Sequence, residues 1–78
     1  MILRVISAQS TIFEGEVKAV TLPGEKGSFM VLQNHASIVS TLVKGKLSYQ
    51  PVSGEEVEQV IDGGIVDVDN NVVSVCIF

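Results

Sequence analysis

Tryptophan is absent, and the chain holds one cysteine, Cys76, and one histidine, His35. A single thiol cannot close an internal disulfide, and it cannot hold zinc without further ligands. No CxxC or HxH spacing supplies them, so no metal site is expected. Cys76 stands among Val72, Val73, Val75 and Ile77 and is expected to pack as a small hydrophobe. Lysine and arginine total five against nine acidic residues, a net charge of −4, and the basic residues are scattered. Nucleic-acid binding needs a basic footprint and exposed aromatics. Three Phe and one Tyr with no basic cluster argue against it. The same shortage disfavours adsorption to anionic lipid. No apolar run approaches the roughly 18 residues of a membrane span, so no direct membrane insertion is expected. The N-terminal MILRVISAQS has no basic leader and no long apolar segment before a cleavage site. It predicts a cytosolic-side rather than a secreted location.

Catalytic signatures are also missing. No serine sits in a G-x-S-x-G elbow. LPGEKGS lacks the G-x-x-x-x-G-K-S/T spacing of a P-loop and joins two expected strands. Ser37 and Ser40 lie near His35, but nothing places an acid against that imidazole. The pairs Glu14/Glu16, Glu55/Glu56 and Asp67/Asp69 read as solvated. Catalysis is therefore not expected, and neither is a cofactor.

What is present is β-structure. The 78 residues, 46% of them hydrophobic, suffice for one domain, 1–78, with a core of its own. Val and Ile recur in short runs cut by Gly, Pro, Asn or Asp. The expected strands are 2–7, 16–22, 28–32, 38–42, 46–50, 57–61, 65–68 and 72–77. No window carries an apolar stripe at helical spacing. The spacing predicts an all-β fold, a small antiparallel sandwich or barrel of about 8 to 10 short strands.

The last hairpin is legible in register. Asn tolerates positive φ, so Asn70-Asn71 suits a two-residue turn. That turn pairs Asp69 with Val72, Val68 with Val73, Asp67 with Ser74 and Val66 with Val75. Val66, Val68, Val73, Val75 and Ile77 then share one face, and Asp67, Asp69 and Ser74 the other. A slip of one residue would mix them. PGEKGS is a second turn, where Pro23 fixes φ and Gly24 and Gly27 accept positive φ. PVSGEE and DGG are further breaks.

Two residues invite a functional reading. Lys26, at the tip of a hairpin, is where lipoyl and biotinyl carrier domains present their attachment lysine. Its neighbours Glu25 and Gly27 differ from theirs, and a solvated turn lysine is the plainer reading. His35, in GSFMVLQNHASIV, is either a loop residue bonded to the main chain or an exposed contact residue.

Three segments stand in order: FEGEVKAVTLPGEKGSFMVLQNHASIVSTL, KGKLSY and DGGIVDVDNNVVSV. Phe13, Gly15 and Val17 fill an F-x-G-x-V motif. Thr21, Leu22, Pro23, Gly24 and Gly27 fill TLPG-x-x-G. His35 and Ala36 fill a G-H-A-P segment. Gly63, Gly64, Asp67, Val68, Asn71, Val73 and Val75 fill a closing hairpin motif. Together they resemble the N-terminal β-sandwich domain of the epsilon subunit of F-type ATP synthase, called delta in mitochondria, over nearly the whole chain.

The resemblance implies a non-catalytic rotor subunit in the central stalk, held peripherally at the cytoplasmic face of the membrane. Its partners would be the gamma subunit and the ring of c subunits, and it would couple ion-driven rotation to ATP synthesis. By the same resemblance, Glu25, Lys26, Gly27, Ser28, Asn34 and His35 are candidates for the ring contact. Ser7, Thr11, Phe13 and Glu14, in the N-terminal strand and a loop around residues 13–15, are candidates for gamma. The family's Pro-Gly before the histidine is Gln33-Asn34 here, and Asn can still take the left-handed turn conformation. Ser37 replaces the proline after His-Ala. Ser28 stands where some members carry an acid. The expected form is the short one, without the two C-terminal helices that restrain ATP hydrolysis in the family.

Overall fold

Runs of β-branched residues, each stopped by a turn former, become eight strands and no helix in the computed structural model, which describes residues 1–78. They are β1 (Ile2–Ile6), β2 (Thr11–Gly24), β3 (Gly27–Leu32), β4 (Ile38–Leu42), β5 (Gly45–Pro51), β6 (Val57–Ile61), β7 (Gly64–Asp69) and β8 (Val72–Ile77). All belong to one sheet, in the order β1-β8-β7-β4-β2-β5-β6, with β3 on β2 and β1 also paired to β2. This sheet folds into two layers. One contains β1, β8, β7 and β4. The other contains β3, β5 and β6. The long strand β2 serves both: its residues 11–16 pair with β1 and its residues 17–24 pair with β3 and β5. A bulge between Val17 and Ala19 marks the crossing, as bulges do where strands turn a corner.

Every pairing is antiparallel, as expected, except β1 with β8. Topology forces the exception. Strands β1, β8, β7, β4 and β2 close a ring through the Gly24–Leu42 bridge. Directions cannot alternate all the way round an odd ring, so one parallel seam is required. It falls between the first and last strands of the chain.

The sequence places the start of β2 too late. Residues 11–15 are not a loop but its first half, held in register by Arg4 opposite Glu14 and Val5 opposite Phe13. TIFEG carries a weak local signal; its partner strand β1 makes it a strand.

The core lies between the layers. Leu3, Val5, Val66, Val68, Val73 and Val75 face Val20, Leu22, Val31 and Leu47, all fully or almost fully buried. The closing hairpin has the expected register, and both turn asparagines have positive φ, 50° at Asn70 and 61° at Asn71. Cys76 corrects the expectation of core packing: it is exposed. Alternation decides this, because Val73 and Val75 point inward and residues 72, 74 and 76 point out. Gly64 is required by contact, since a Cβ there would run into the carbonyl oxygen of Cys76 on the paired strand.

Candidate partner-binding surfaces

The candidate ring residues fall on a rim formed by β3 and β4. Strand β3 pairs only with β2, while β4 pairs with β7 and meets β2 only at Gly24. Their free edges border an open groove of about 510 Å³, walled by residues 24–29 and 38–41. The outer side is apolar: Val39 is 71% exposed, Met30 55% and Leu32 53%. These three were not singled out from sequence. In β3 and β4 both faces carry apolar residues, so alternation alone does not tell the outer from the inner.

The Glu25-Lys26 turn closes one end of this rim. Gly24 pairs with Gly27, leaving a two-residue loop, and Gly27 takes φ 121°, beyond the ordinary reach of a side-chain-bearing residue. Gly24, in contrast, has no positive φ; the Phe29 ring lies where its side chain would stand. Glu25 N–H donates to Thr41 O at 3.1 Å, and Val43 N–H donates to Pro23 O at 2.9 Å. Glu25, Lys26, Gly27 and Ser28 are all exposed, with Lys26 at the tip.

Asn34 and His35 lie at the other end of β3. Its six residues hold them roughly 20 Å from the Glu25-Lys26 turn. The six ring candidates are thus two groups at opposite ends of one rim rather than a single cluster. Asn34 takes φ 63°, the left-handed conformation expected of it. Its N–H donates to Asn71 Oδ1 at 2.6 Å, and Asn71 Nδ2 donates back to Asn34 Oδ1 at 2.9 Å. Half-buried His35 has Nδ1 2.7 Å from Ala36 O; a carbonyl only accepts, so Nδ1 carries the hydrogen. Ser37 Oγ donates to Asp69 Oδ1 at 2.8 Å, and Ser40 Oγ to Thr41 O at 3.4 Å, so neither serine engages His35.

The candidate gamma residues surround the β1–β2 hairpin. Ser7 Oγ accepts from the N–H groups of Gln9 and Ser10, both at 3.3 Å, and so shapes the turn. Thr11 is exposed opposite Ile6. Glu14 is exposed and lies 3.8 Å from Arg4. Phe13 differs from the other three. It is half-buried, packs against the core and stacks on Tyr49 with ring centroids 4.4 Å apart. Burial raises the Tyr49 hydroxyl above its ordinary pKa. In the layer of β1, β8, β7 and β4, strands β8 and β7 stand between this hairpin and the β4 side of the rim.

These features define a small two-layered β-sandwich domain with an apolar rim bounded by polar loops and a separate hairpin surface. The chain belongs to the family described as "ATP synthase, Delta/Epsilon chain, beta-sandwich domain", whose family model matches residues 1–77. It is 41% identical over 69 residues to the ATP synthase epsilon chain of Nitratiruptor sp., covering 88% of this chain and 54% of that one. To the epsilon chain of Campylobacter fetus it is 39% identical over 75 residues, covering 96% and 58%. The chain thus spans about half the length of the relatives it matches. Among solved structures, a chain of the Euglena gracilis mitochondrial ATP synthase OSCP/F1/c-ring assembly superposes with a TM-score of 0.90 at 29% identity, covering 99% of this chain and 49% of that one. A chain of the Tetrahymena thermophila mitochondrial ATP synthase central stalk and c-ring shares the fold at 16% identity, with a TM-score of 0.83, covering 100% and 63%.

Proposed function

We propose that this domain is a non-catalytic rotor part of the central stalk of an F-type ATP synthase. It binds a gamma subunit through the β1–β2 hairpin and the c-ring through the β3–β4 rim. In that place it passes ion-driven rotation to ATP synthesis. It is held peripherally at the cytoplasmic face of the membrane by its partners. The observation that carries this reading is the superposition of nearly the whole chain on one in an F1/c-ring assembly. The rest of the structure supports it. Of 46 backbone hydrogen bonds, 38 lie within strands, and such a densely bonded body suits a part that bears torque. His35, Ser37 and Ser40 are bonded separately rather than aligned for chemistry.

Co-expression with the gamma subunit of the same synthase tests the proposal. A 1:1 complex on size exclusion is expected, and it should capture the detergent-solubilised c-ring. Separate elution of the two chains would overturn it. Exposure of Lys26 at a hairpin tip favours a second reading, a lipoyl- or biotinyl-type carrier domain. Intact mass after co-expression with the matching ligase decides that; no mass increment is expected.

A further inference from the structure

Residues 33–37 make a single backbone–backbone hydrogen bond, from His35 N–H to Leu32 O at 3.2 Å. Everything else that fastens this loop comes from side chains. Asn34 is tied to Asn71 by two bonds, and Ser37 to Asp69 by one. Gln33 Oε1 also accepts from the Met1 ammonium at 3.2 Å. The Asn34 and Ser37 anchors both belong to the β7–β8 hairpin, and the two residues between them are His35 and Ala36. Asn71 is the node. Its Oδ1 accepts from the Asn34 main chain, its Nδ2 donates to the Asn34 side chain, and its carbonyl accepts from Ile2 N–H at 2.9 Å. Both asparagines hold left-handed backbones, φ 63° and 61°, which Asn and Gly tolerate. Glycine at either place would keep the backbone; at 71 it loses both bonds, and at 34 only the one that the Asn34 side chain accepts.

We propose that Asn71 is a positioning residue for ring docking. Paired with Asn34, it holds the 33–37 loop in the shape in which His35 meets the ring. The proposal rests on the assignment of the β3–β4 rim to the c-ring. Asn71 need not touch the ring; it acts through the loop. A loop ordered before encounter loses less freedom on binding, so the pair sets affinity by preorganisation. The pair also gives the Gln33-Asn34 dipeptide a use that a Pro-Gly pair could not serve. Glycine has no side chain to receive the Asn71 amide.

The test uses the chain in complex with its gamma subunit and, as probe, the detergent-solubilised c-ring of the same synthase. Asn71→Gly is expected to weaken ring binding about tenfold, as the loss of two hydrogen bonds warrants. Amide hydrogen exchange at Asn34 and His35 should quicken, while co-elution with gamma stays unchanged. Asn34→Gly keeps the main-chain bond to Asn71 Oδ1 and is expected to cost about threefold; it also serves if Asn71→Gly fails to fold. His35→Ala should cost less in the Asn71→Gly background than in the wild type, which a merely structural Asn71 would not produce. Faster exchange with unchanged ring affinity overturns the proposal, as does an equal cost of His35→Ala in both backgrounds. A wild-type complex that binds gamma but no ring overturns the ring assignment, and this proposal with it.

Discussion

The rings of Phe13 and Tyr49 meet at 4.4 Å between centroids, inclined by 37°. Phe13 comes from the half of β2 that pairs with β1, and Tyr49 comes from β5, across the sandwich. The contact therefore pins the corner where β2 passes between the layers. Tilted aromatic pairs at this range add about 0.5 to 1.5 kcal/mol beyond area burial. Phe13→Ala should destabilise the domain by about 3 kcal/mol, read from the denaturation midpoint at unchanged m-value. Phe13→Leu should cost less than half of that. A loss under 1 kcal/mol for the alanine variant would show that the ring is a surface contact after all.

The second prediction follows from the same pair. Burial raises the Tyr49 pKa above the ordinary tyrosine value of about 10. The folded chain then holds the phenolic proton more tightly than the unfolded chain. This contribution to stability is complete below pH 10 or so and is lost as pH rises through the folded-state pKa. Unfolding free energy measured from pH 9 upward should fall more steeply for the wild type than for Tyr49→Phe, since lysine titration is common to both. Parallel curves would dismiss the effect.

Cys76 is open to solvent on the outer face of β8. One equivalent of a maleimide should label the native protein without denaturant, and far-UV circular dichroism should not change. A thiol that reacts only after unfolding would return Cys76 to the interior.

Charge on the β3–β4 rim should separate the two proposed partners. Val39→Asp replaces the most exposed apolar side chain of that rim. It should leave the melting temperature within a few degrees of the wild type and co-elution with gamma intact, while capture of the c-ring falls at least tenfold. Thr11→Lys, on the β1–β2 hairpin, should do the reverse. Equal loss of both partners from either variant would mean that the two surfaces are one.

How much of this could be read beforehand depends on how local each cause is. The β7–β8 hairpin was legible to the residue, because Asn70-Asn71 and the Val/Asp alternation both lie inside it. The exposure of Cys76 was misread: its apolar neighbours suggested packing, although the same register that turns Val75 inward turns residue 76 outward. Residues 11–15 were not legible, since their strand character is lent by β1. Nor was the Asn34–Asn71 bond, which joins residues 37 positions apart with no local sign in either segment. Resemblance put the ring candidates on one surface, but β3 carries them to its two ends.

The seam between β1 and β8 also governs how the domain meets force. The two strands run side by side in the same direction, Ile2 beside Val72 and Ile6 beside Cys76. Tension between residues 2 and 77 would slide one strand along the other and load every bond of the seam together. Tension between residues 2 and 16, which face each other in the antiparallel β1–β2 pair, would open bonds one after another. The body is a clamp along one axis and a zipper along another. In the proposed place between the c-ring and gamma, the domain is best mounted with the clamp axis along the load.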